Sequence, residues 1–463
     1  MTSLEKQSSR AANRSLEAAL GMYRRIESDC MSALESTGVT FASYDGERIE
    51  VRRLLERLEA IGARVRNGGA SVVLGPMSRA CVACTGPCVS RSFAVTNNCH
   101  RDCYFCFNPN QEEFAYYCEH PFPWRRQLDD LAAESESPVC IALTGGEPLL
   151  MFDETCAFFE RAGELFPQAH LRLYTSGDLL DEGRIARLAS CGLDEIRFSV
   201  KQDDPEPLLE KVLSNMALAQ KAIPAVMVEM PVIPGTEGFM KGLILRLDDM
   251  GVQGINLLEF AYPMWNWPVY ESLGLELRNP PWEVFFDYSY AGTLPVQGSE
   301  ELCLELMLWA HEQGCELGLH YCSLENKHRA QVRNLNEPHA RMHPCYAFDR
   351  EDYFLKTGMV FGPDRAPVRR ALRALGCSDF VEDAESDSTS FHPRWLKAAS
   401  AAAGPDGLPT QPCVSYNLSV EQGWAVSLRE LKLEPFSEDL RVSLDDRGGI
   451  GNNEPMAFCF GTR

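Results

Sequence analysis

The chain has 463 residues, 45% of them apolar and 24% charged, so it can form two or three folded domains and is not a disordered protein. Its formal charge of −22 would repel a phosphate backbone, and no basic groove is evident, so a nucleic-acid partner is disfavoured. We find no secretory signal and no apolar run long enough to cross a bilayer. We therefore expect a cytoplasmic protein with no membrane partner, whose 18 cysteines include metal or cluster ligands rather than forming a disulfide framework.

The pattern of apolar residues divides the chain into three regions. Residues 1–78 are predicted to form a helical region. Residues 79–325 contain seven strand candidates that alternate with helices, at 93–97, 139–143, 171–175, 195–200, 225–232, 255–260 and 316–321. This alternation predicts an α/β fold with a parallel sheet, curved into a partial (β/α)6 TIM-like barrel whose chemistry collects at the carboxyl ends of the strands.

Residues 326–463 are predicted to form a small C-terminal α+β unit. Strands are expected around 353–361, as a pair, and at 424–430 and 439–444. Small and polar residues over 384–411 indicate a flexible linker.

Three cysteines, Cys99, Cys103 and Cys106, follow the first strand with the spacing Cys-x3-Cys-x2-Cys. Thiolates suit iron–sulfur clusters, and closely spaced cysteines in one loop can each bind a different iron. Three cysteines leave one iron of a [4Fe–4S] cube without a protein ligand, where a substrate or cofactor can bind. A zinc site that uses His100 as its fourth ligand is the alternative, and the spacing favours the cluster.

The segment Gly145-Gly146-Glu147-Pro148 follows the second strand. Glycines lack a Cβ, so a ligand can approach their carbonyl groups closely, and Glu147 can accept a hydrogen bond from an ammonium group. Alone, this segment is typical of an ordinary turn from a strand to a helix. Its position one strand after the cysteines favours a cofactor site.

Together these motifs resemble the radical S-adenosylmethionine (SAM) superfamily, over residues 92–323. Cys99, Cys103, Cys106 and the aromatic Tyr104 match the family's cluster loop, and the Gly-Gly-Glu-Pro segment matches its Gly-Gly-Glu motif. The resemblance implies a partial (β/α)6 barrel in which a [4Fe–4S] cluster binds SAM at the vacant iron. It also implies an oxygen-sensitive enzyme that cleaves SAM reductively to a 5′-deoxyadenosyl radical, which takes a hydrogen atom from a substrate.

The resemblance implies further SAM contacts in later loops. Ser176 stands where the family has an asparagine after its third strand. Ser199 matches the serine of a Ser-x-Asp segment, but Lys201 replaces the acidic residue, which puts an acidic role at that position in doubt. Ile233 matches an apolar contact to adenine. A buried strand residue is the alternative interpretation at each position.

A second triplet immediately precedes the first barrel strand and consists of Cys81, Cys84 and Cys88. Two triplets within 26 residues favour an auxiliary iron–sulfur cluster, with a zinc knuckle or structural thiols as alternatives. Simple geometry favours Cys315, at the start of the seventh strand, as the fourth ligand. A resemblance to poorly characterised proteins related to pyruvate formate-lyase activating enzymes favours Cys322, which we expect, and Cys345 is a further alternative.

The substrate is not readable from these motifs. Modification of a peptide or protein is favoured, because additional cysteines and a C-terminal extension are common in such enzymes of the family. Activation of a glycyl-radical enzyme and a non-catalytic zinc- or cluster-binding adaptor are the alternatives. A reductant such as ferredoxin or flavodoxin is the expected partner. The aromatic segment 262–270 is expected to plug the barrel rather than to line a substrate pocket.

Overall fold

The structure is a computed structural model and describes residues 13–46, 48–84, 90–134, 137–284, 292–422 and 425–437. The chain forms two units, one of Ser28–Gln331 and one made of the chain on either side of that segment. The predicted N-terminal region 1–78 is therefore wrong as a separate domain, because its described residues divide between the two units. Within the described residues, every helix is too short or too polar to cross a bilayer.

The first unit is built on a sheet of nine strands. Its strands, with the two short strands β9 and β10 that pair only with each other, are β1 (Arg64–Arg66), β2 (Ser71–Leu74), β3 (Ser90–Ala94), β4 (Cys140–Thr144), β5 (His170–Thr175), β6 (Glu195–Phe198), β7 (Ala225–Val232), β8 (Gly254–Glu259), β9 (Ala261–Tyr262), β10 (Leu294–Pro295) and β11 (Gly318–Cys322). The order is β1-β2-β11-β8-β7-β6-β5-β4-β3. Strands β3 to β8 and β11 are parallel, and β2 runs antiparallel to both β1 and β11.

Helices connect the parallel strands. The described α-helices up to the one that follows β11 are, in chain order, α1 (Arg14–Glu35), α2 (Ile49–Ala60), α3 (Arg79–Cys84), α4 (Phe114–Glu119), α5 (Trp124–Ala132), α6 (Phe152–Leu165), α7 (Glu182–Ser190), α8 (Glu206–Ala219), α9 (Glu237–Asp249), α10 (Trp267–Ser272), α11 (Ser299–Glu312) and α12 (Leu324–Asn336). Local sequence sets their ends: Asp181, for example, caps α7 by accepting a hydrogen bond from the Arg184 amide (2.8 Å).

The predicted alternation of strands and helices is confirmed. The seven parallel strands fall on the seven predicted segments, displaced by at most three residues at either end. The sheet is mostly parallel and open, with β1 and β3 as its edges, as a partial TIM-like barrel requires. Strands β1 and β2 were not predicted, because they lie within the stretch that was interpreted as helical.

Alternate residues of the parallel strands point to opposite faces of the sheet. In β6, Ile196 and Phe198 are fully buried in a core shared with the connecting helices, while Glu195 and Arg197 point to the opposite face, called here the inner face. Burial of these charges is offset by pairing, because Arg197 bonds both Glu195 and Glu229. The same alternation in the neighbouring strands brings further polar side chains to the inner face, namely Arg172, Asn256 and His320.

The second unit contains an antiparallel sheet ordered β14-β15-β13-β16-β17, with β12 paired to β13. Its elements are β12 (Ala347–Phe348), β13 (Leu355–Phe361), α13 (Arg365–Ala374), β14 (Val381–Asp383), β15 (Ser388–Phe391), α14 (Leu396–Ala401), β16 (Cys413–Gln422) and β17 (Ala425–Pro435). The predicted strand pair at 353–361 is one continuous strand, β13. The predicted strand at 424–430 falls in β17, and the one at 439–444 lies outside the described residues.

The prediction of a flexible linker over 384–411 is wrong. Strand β15 and helix α14 lie within it, and Thr389 and Phe391 of β15 are fully buried. The Thr357 hydroxyl of β13 donates a hydrogen bond to the Phe391 carbonyl (2.9 Å), so this segment is part of the sheet. Amino-acid composition gave a wrong prediction for this segment, because short polar residues occur both in linkers and in strands that pair with distant parts of the chain.

Candidate active site

The predicted site residues follow the carboxyl ends of five neighbouring parallel strands. The cysteine loop (residues 95–107) follows β3 and the glycine loop (residues 145–148) follows β4. Ser176, Ser199 and Ile233 follow β5, β6 and β7. Since these strands are consecutive in the sheet, the structure brings the predicted residues to one end of it, where the chemistry of such folds collects.

The three thiols of the cysteine loop lie close enough to influence one another. Burial, and then the thiols of Cys106 and Cys99, raise the pKa of Cys103 to about 11 against the opposing Lys201 ammonium. Burial also raises the pKa of Cys99 and of Cys106, and Lys201 again opposes the shift. Cys99 is exposed and the other two are half-buried. The three thiols therefore lie near one another and near the Lys201 ammonium.

Lys201 is the residue that the family resemblance left in doubt. Its side chain is buried, and its ammonium group donates a hydrogen bond to the Ser199 carbonyl (3.1 Å). The Ser199 hydroxyl lies 3.4 Å from the same ammonium group. A cation at this position favours the thiolate form of all three cysteines, which an acidic residue would oppose.

The glycine loop packs directly on the cysteine loop. The Gly146 amide donates a hydrogen bond to the Thr96 carbonyl (2.9 Å). A Cβ on Gly146 would lie 2.1 Å from the Asn98 carbonyl oxygen, and one on Gly145 would lie 2.5 Å from that of Thr96. Gly145 also has a φ of +119°, a conformation that other residues rarely adopt. The glycines are therefore required by the close approach of two loops of the protein itself.

Glu147 is 1% exposed and holds two loops together. Its carboxylate accepts hydrogen bonds from the Leu149 amide (3.1 Å), the Thr175 hydroxyl (2.8 Å), and the amide (2.8 Å) and hydroxyl (2.6 Å) of Ser176. Pro148, beside it, is buried and opens a short 3-10 turn. The structure thus gives Glu147 four donors within the protein, and its predicted bond to a ligand ammonium stays a prediction.

An ionic link between the cysteine loop and the loop after β5 was missed by sequence reasoning. His100 Nε2 lies 2.8 Å from an Asp178 carboxylate oxygen, and the Ser176 hydroxyl and Arg101 also bond this carboxylate. Desolvation raises the pKa of Asp178, but the hydrogen bonds from Ser176 and His100 more than offset this effect and lower it. His100 was considered only as a zinc ligand. No local signal marks Asp178, since its partners come from another loop.

Tyr104 lies in an aromatic cluster beside the cysteine loop. Its ring centroid is 5.5 Å from that of Tyr270, and the same cluster contains the buried Ile233. The indole of Trp265 donates a hydrogen bond to a carbonyl of the cysteine loop (3.0 Å). Of the segment 262–270, Tyr262, Trp267 and Tyr270 pack in this cluster, whereas Met264, Trp265 and Val269 are exposed, so the interpretation of the segment as a plug stays a prediction.

The second cysteine group lies on the inner face of the sheet. Helix α3 carries Cys81 and Cys84, and Cys322 ends β11. The Arg197 guanidinium and the Asn256 amide donate hydrogen bonds to the Cys81 sulfur, at 3.1 and 3.3 Å. The thiols of Cys84 and Cys81 both influence the ionisation of Cys322, so the three thiols are neighbours.

The thiols of this group differ in their ionisation. Burial would raise the pKa of Cys81, but the Arg197 guanidinium and His320 overcome it and lower the pKa to about 6. Burial raises the pKa of Cys322 to about 12, against the opposing effect of Lys327. Desolvation and then the Cys81 thiolate raise the pKa of Cys84, although this residue is exposed. The Arg197 guanidinium therefore favours the thiolate form of Cys81.

The alternative fourth ligands lie elsewhere. Cys315 is close to Asp248, and Cys345, in the second unit, is close to Cys377. Cys88 lies outside the described residues. Among the residues that the structure describes, no three His, Cys, Asp or Glu side chains converge closely enough to hold a single metal ion.

The chain is similar to several known proteins. Residues 93–237 match the model of the Radical SAM superfamily. A Methanocaldococcus jannaschii protein named "Putative glycyl-radical enzyme activating enzyme" is 26% identical over 281 residues, which cover 58% of this chain and 69% of that protein. The PqqA peptide cyclase of Granulibacter bethesdensis is 34% identical over 112 residues, covering 24% of this chain and 29% of the cyclase.

Among solved structures, the radical S-adenosylmethionine methyltransferase TsrM of Kitasatospora setae, with cobalamin and a [4Fe–4S] cluster bound, is 17% identical with a TM-score of 0.29. The match covers 37% of this chain and 36% of the methyltransferase, so the chain spans about a third of the length of that protein and of the cyclase. The family model covers the cysteine loop, the glycine loop and the loops after β5 to β7. This chain is an enzyme of the radical SAM class, with its radical SAM domain at residues 93–237.

Proposed function

We propose that this chain binds a [4Fe–4S] cluster through Cys99, Cys103 and Cys106 and SAM beside it, and uses them to take a hydrogen atom from a peptide or protein. One observation carries the proposal: the three thiols lie near one another and near Lys201, in a loop that the glycine loop packs against. Thiolates suit iron, and three of them leave one iron for a small-molecule ligand.

The donor set fits the group that it is proposed to hold. Cys99 is exposed while Cys103 and Cys106 are half-buried, so a cluster can reach the thiols without unfolding the loop. Lys201 offsets part of the negative charge that three thiolates carry. When bound, the cluster and SAM supply a one-electron cleavage that generates a hydrogen-abstracting radical. The protein orients these groups and excludes water from them.

The loops that follow β4, β5, β6 and β7 are proposed to bind SAM together. Ser199 and Ile233 remain proposed contacts to the ribose and adenine, and the backbone of the glycine loop remains a proposed contact to the amino acid part. Glu147 and Ser176 bond each other, so we infer that they also act by positioning their loops. Tyr104 is proposed to support the cysteine loop from the aromatic cluster behind it.

A polypeptide substrate is supported by the relatives. One is named for activating a glycyl-radical enzyme and the other for cyclising the PqqA peptide, so both names imply a peptide or protein substrate. Activation of a glycyl-radical enzyme is the second candidate, and the match to 69% of the M. jannaschii protein favours it. Ferredoxin or flavodoxin is the proposed reductant, and the reducing cytosol is the proposed location.

Anaerobic reconstitution with iron and sulfide tests the proposal. The wild-type protein should bind iron, its reduced cluster should change its EPR signal when SAM is added, and it should release 5′-deoxyadenosine. The variant with Cys99, Cys103 and Cys106 all replaced by alanine should lose the SAM-dependent signal and the product. Cys118→Ala, which removes a half-buried thiol of α4, is the matched control and should behave as wild type.

Two outcomes would contradict the proposal. A reconstituted cluster whose EPR signal ignores SAM would support a non-catalytic adaptor. Zinc bound at the cysteine loop in place of iron would support the same alternative.

A further inference from the structure

A short helix, α3, lies against the inner face of the sheet. Ala80 and Ala83 of α3 pack against Cys140 of β4, and all three are buried. The Ser78 hydroxyl, just before the helix, donates a hydrogen bond to Glu195 of β6 (2.5 Å). Because small residues allow the helix to lie this close to the strands, its side chains are held at fixed positions on the inner face.

Cys81 and Cys84 lie on one side of this helix, one turn apart, which places their Cβ atoms about 5–6 Å from each other. Cys322 reaches the same place from β11. It lies two residues beyond His320 on the same face of the strand, a separation of about 7 Å. His320 bonds Asn256 (3.1 Å), and Asn256 in turn bonds the Cys81 sulfur. A chain of direct contacts therefore joins the helix to the end of β11.

The two buried sulfurs of this group already receive hydrogen bonds. Cys81 accepts them from Arg197 and Asn256, and Cys322 accepts one from the Asn326 amide (3.3 Å). N–H donors stabilise sulfur most when it carries a negative charge. Buried cysteines that only fill a core need no such donors, because they behave as small apolar residues. Cys81, with two such donors, therefore has the surroundings of a thiolate, and Cys322 beside it already has one N–H donor.

We propose that Cys81, Cys84 and Cys322 bind a second iron–sulfur cluster on the inner face of the sheet. The proposal goes beyond the SAM-cleaving function, because it requires neither SAM nor the cysteine loop. In a cluster each iron takes its own thiolate, so the thiols need to surround the group rather than converge on one point. A zinc ion would require ligands that all lie about 2.3 Å from the metal. The described residues offer no such convergence.

Iron analysis in a background without the first site tests this proposal. The variant with Cys99, Cys103 and Cys106 replaced by alanine should keep half of the wild-type iron, about four irons per chain, and the visible absorbance of a cluster. Adding Cys322→Ser to that variant should remove this remaining iron. Cys84→Ala should also remove it, and because Cys84 is exposed, its replacement does not disturb the core. Cys156→Ala, at an equally buried thiol in α6, is the matched control and should retain the iron.

Three results would overturn the proposal. The first is a variant without the cysteine loop thiols that binds no iron although its circular dichroism spectrum is that of the wild type. The second is bound zinc in place of iron. The third is full retention of iron when Cys84 and Cys322 are replaced. The two proposals fail separately, because Cys84→Ala should keep the SAM-dependent EPR change of the first cluster.

Discussion

Glu147→Ala should destabilise the metal-free protein strongly, because the carboxylate is a structural acceptor. Its loss leaves the buried amides of Leu149 and Ser176 without their partner. The Ser176 hydroxyl can still donate to the Asp178 carboxylate, and the Thr175 hydroxyl still accepts from the Gly177 amide, so the two hydroxyls add less to the cost than the amides do. A buried amide without a hydrogen-bond acceptor costs about 1–3 kcal/mol. With two such amides, the free energy of unfolding of the first unit should fall by about 4 kcal/mol. Glu147→Gln, which keeps one oxygen acceptor, should lose about half as much.

Urea unfolding of the metal-free protein, combined with hydrogen exchange, measures this effect. Exchange should accelerate at the amides of Leu149 and Ser176 in Glu147→Ala. Glu160→Ala is the control: Glu160 is exposed and pairs with Arg187 (2.7 Å), so its loss should cost less than about 1 kcal/mol. If Glu147→Ala were as stable as Glu160→Ala without metal and lost only SAM binding, the carboxylate would be a ligand contact rather than a support for two loops. That result would refute our reasoning.

Three further variants probe the same end of the sheet. Lys201→Met should slow alkylation of the cysteine loop thiols several-fold in the metal-free protein at pH 8, because it removes a cation that favours their thiolate forms. Lys201→Arg should restore the alkylation rate. Equal rates in the wild type and both variants would exclude this role of Lys201. Gly146→Ala should prevent iron binding at the cysteine loop, because the new Cβ would lie 2.1 Å from the Asn98 carbonyl oxygen. Gly163→Ala, on α6, should bind iron normally, because its Cβ would make only an ordinary contact with Leu171 at 3.9 Å. The lowered pKa of Asp178 means that its carboxylate stabilises the fold above its ordinary pKa of about 4 and that this contribution is lost as the pH falls below it. Asp178→Asn should therefore lower the melting temperature at pH 7 more than at pH 3.5, and an equal loss at both pH values would contradict this assignment.

The radical SAM site was predictable as far as its residues lie in local patterns. The cysteine spacing and the glycine loop are short motifs, and their position after successive strands follows from the alternation of strands and helices. The roles of individual side chains were less accessible. Glu147 was expected to meet a ligand, but four donors from its own and a neighbouring loop already surround it. Asp178 has no motif at all, because its function depends on His100 in a loop 78 residues away.

Local sequence was sufficient to locate the parallel strands, because the spacing of apolar residues in each strand reflects which of its side chains are buried. Pairings between distant segments required the three-dimensional fold. Cys322, rather than Cys315, stands beside Cys81, because α3 folds onto the inner face of the sheet instead of remaining at the end where β3 begins. Residues 384–411 are folded, because β13 supplies partners that their own composition does not reveal. Such contacts depend on packing between remote parts of the chain, which no local pattern encodes.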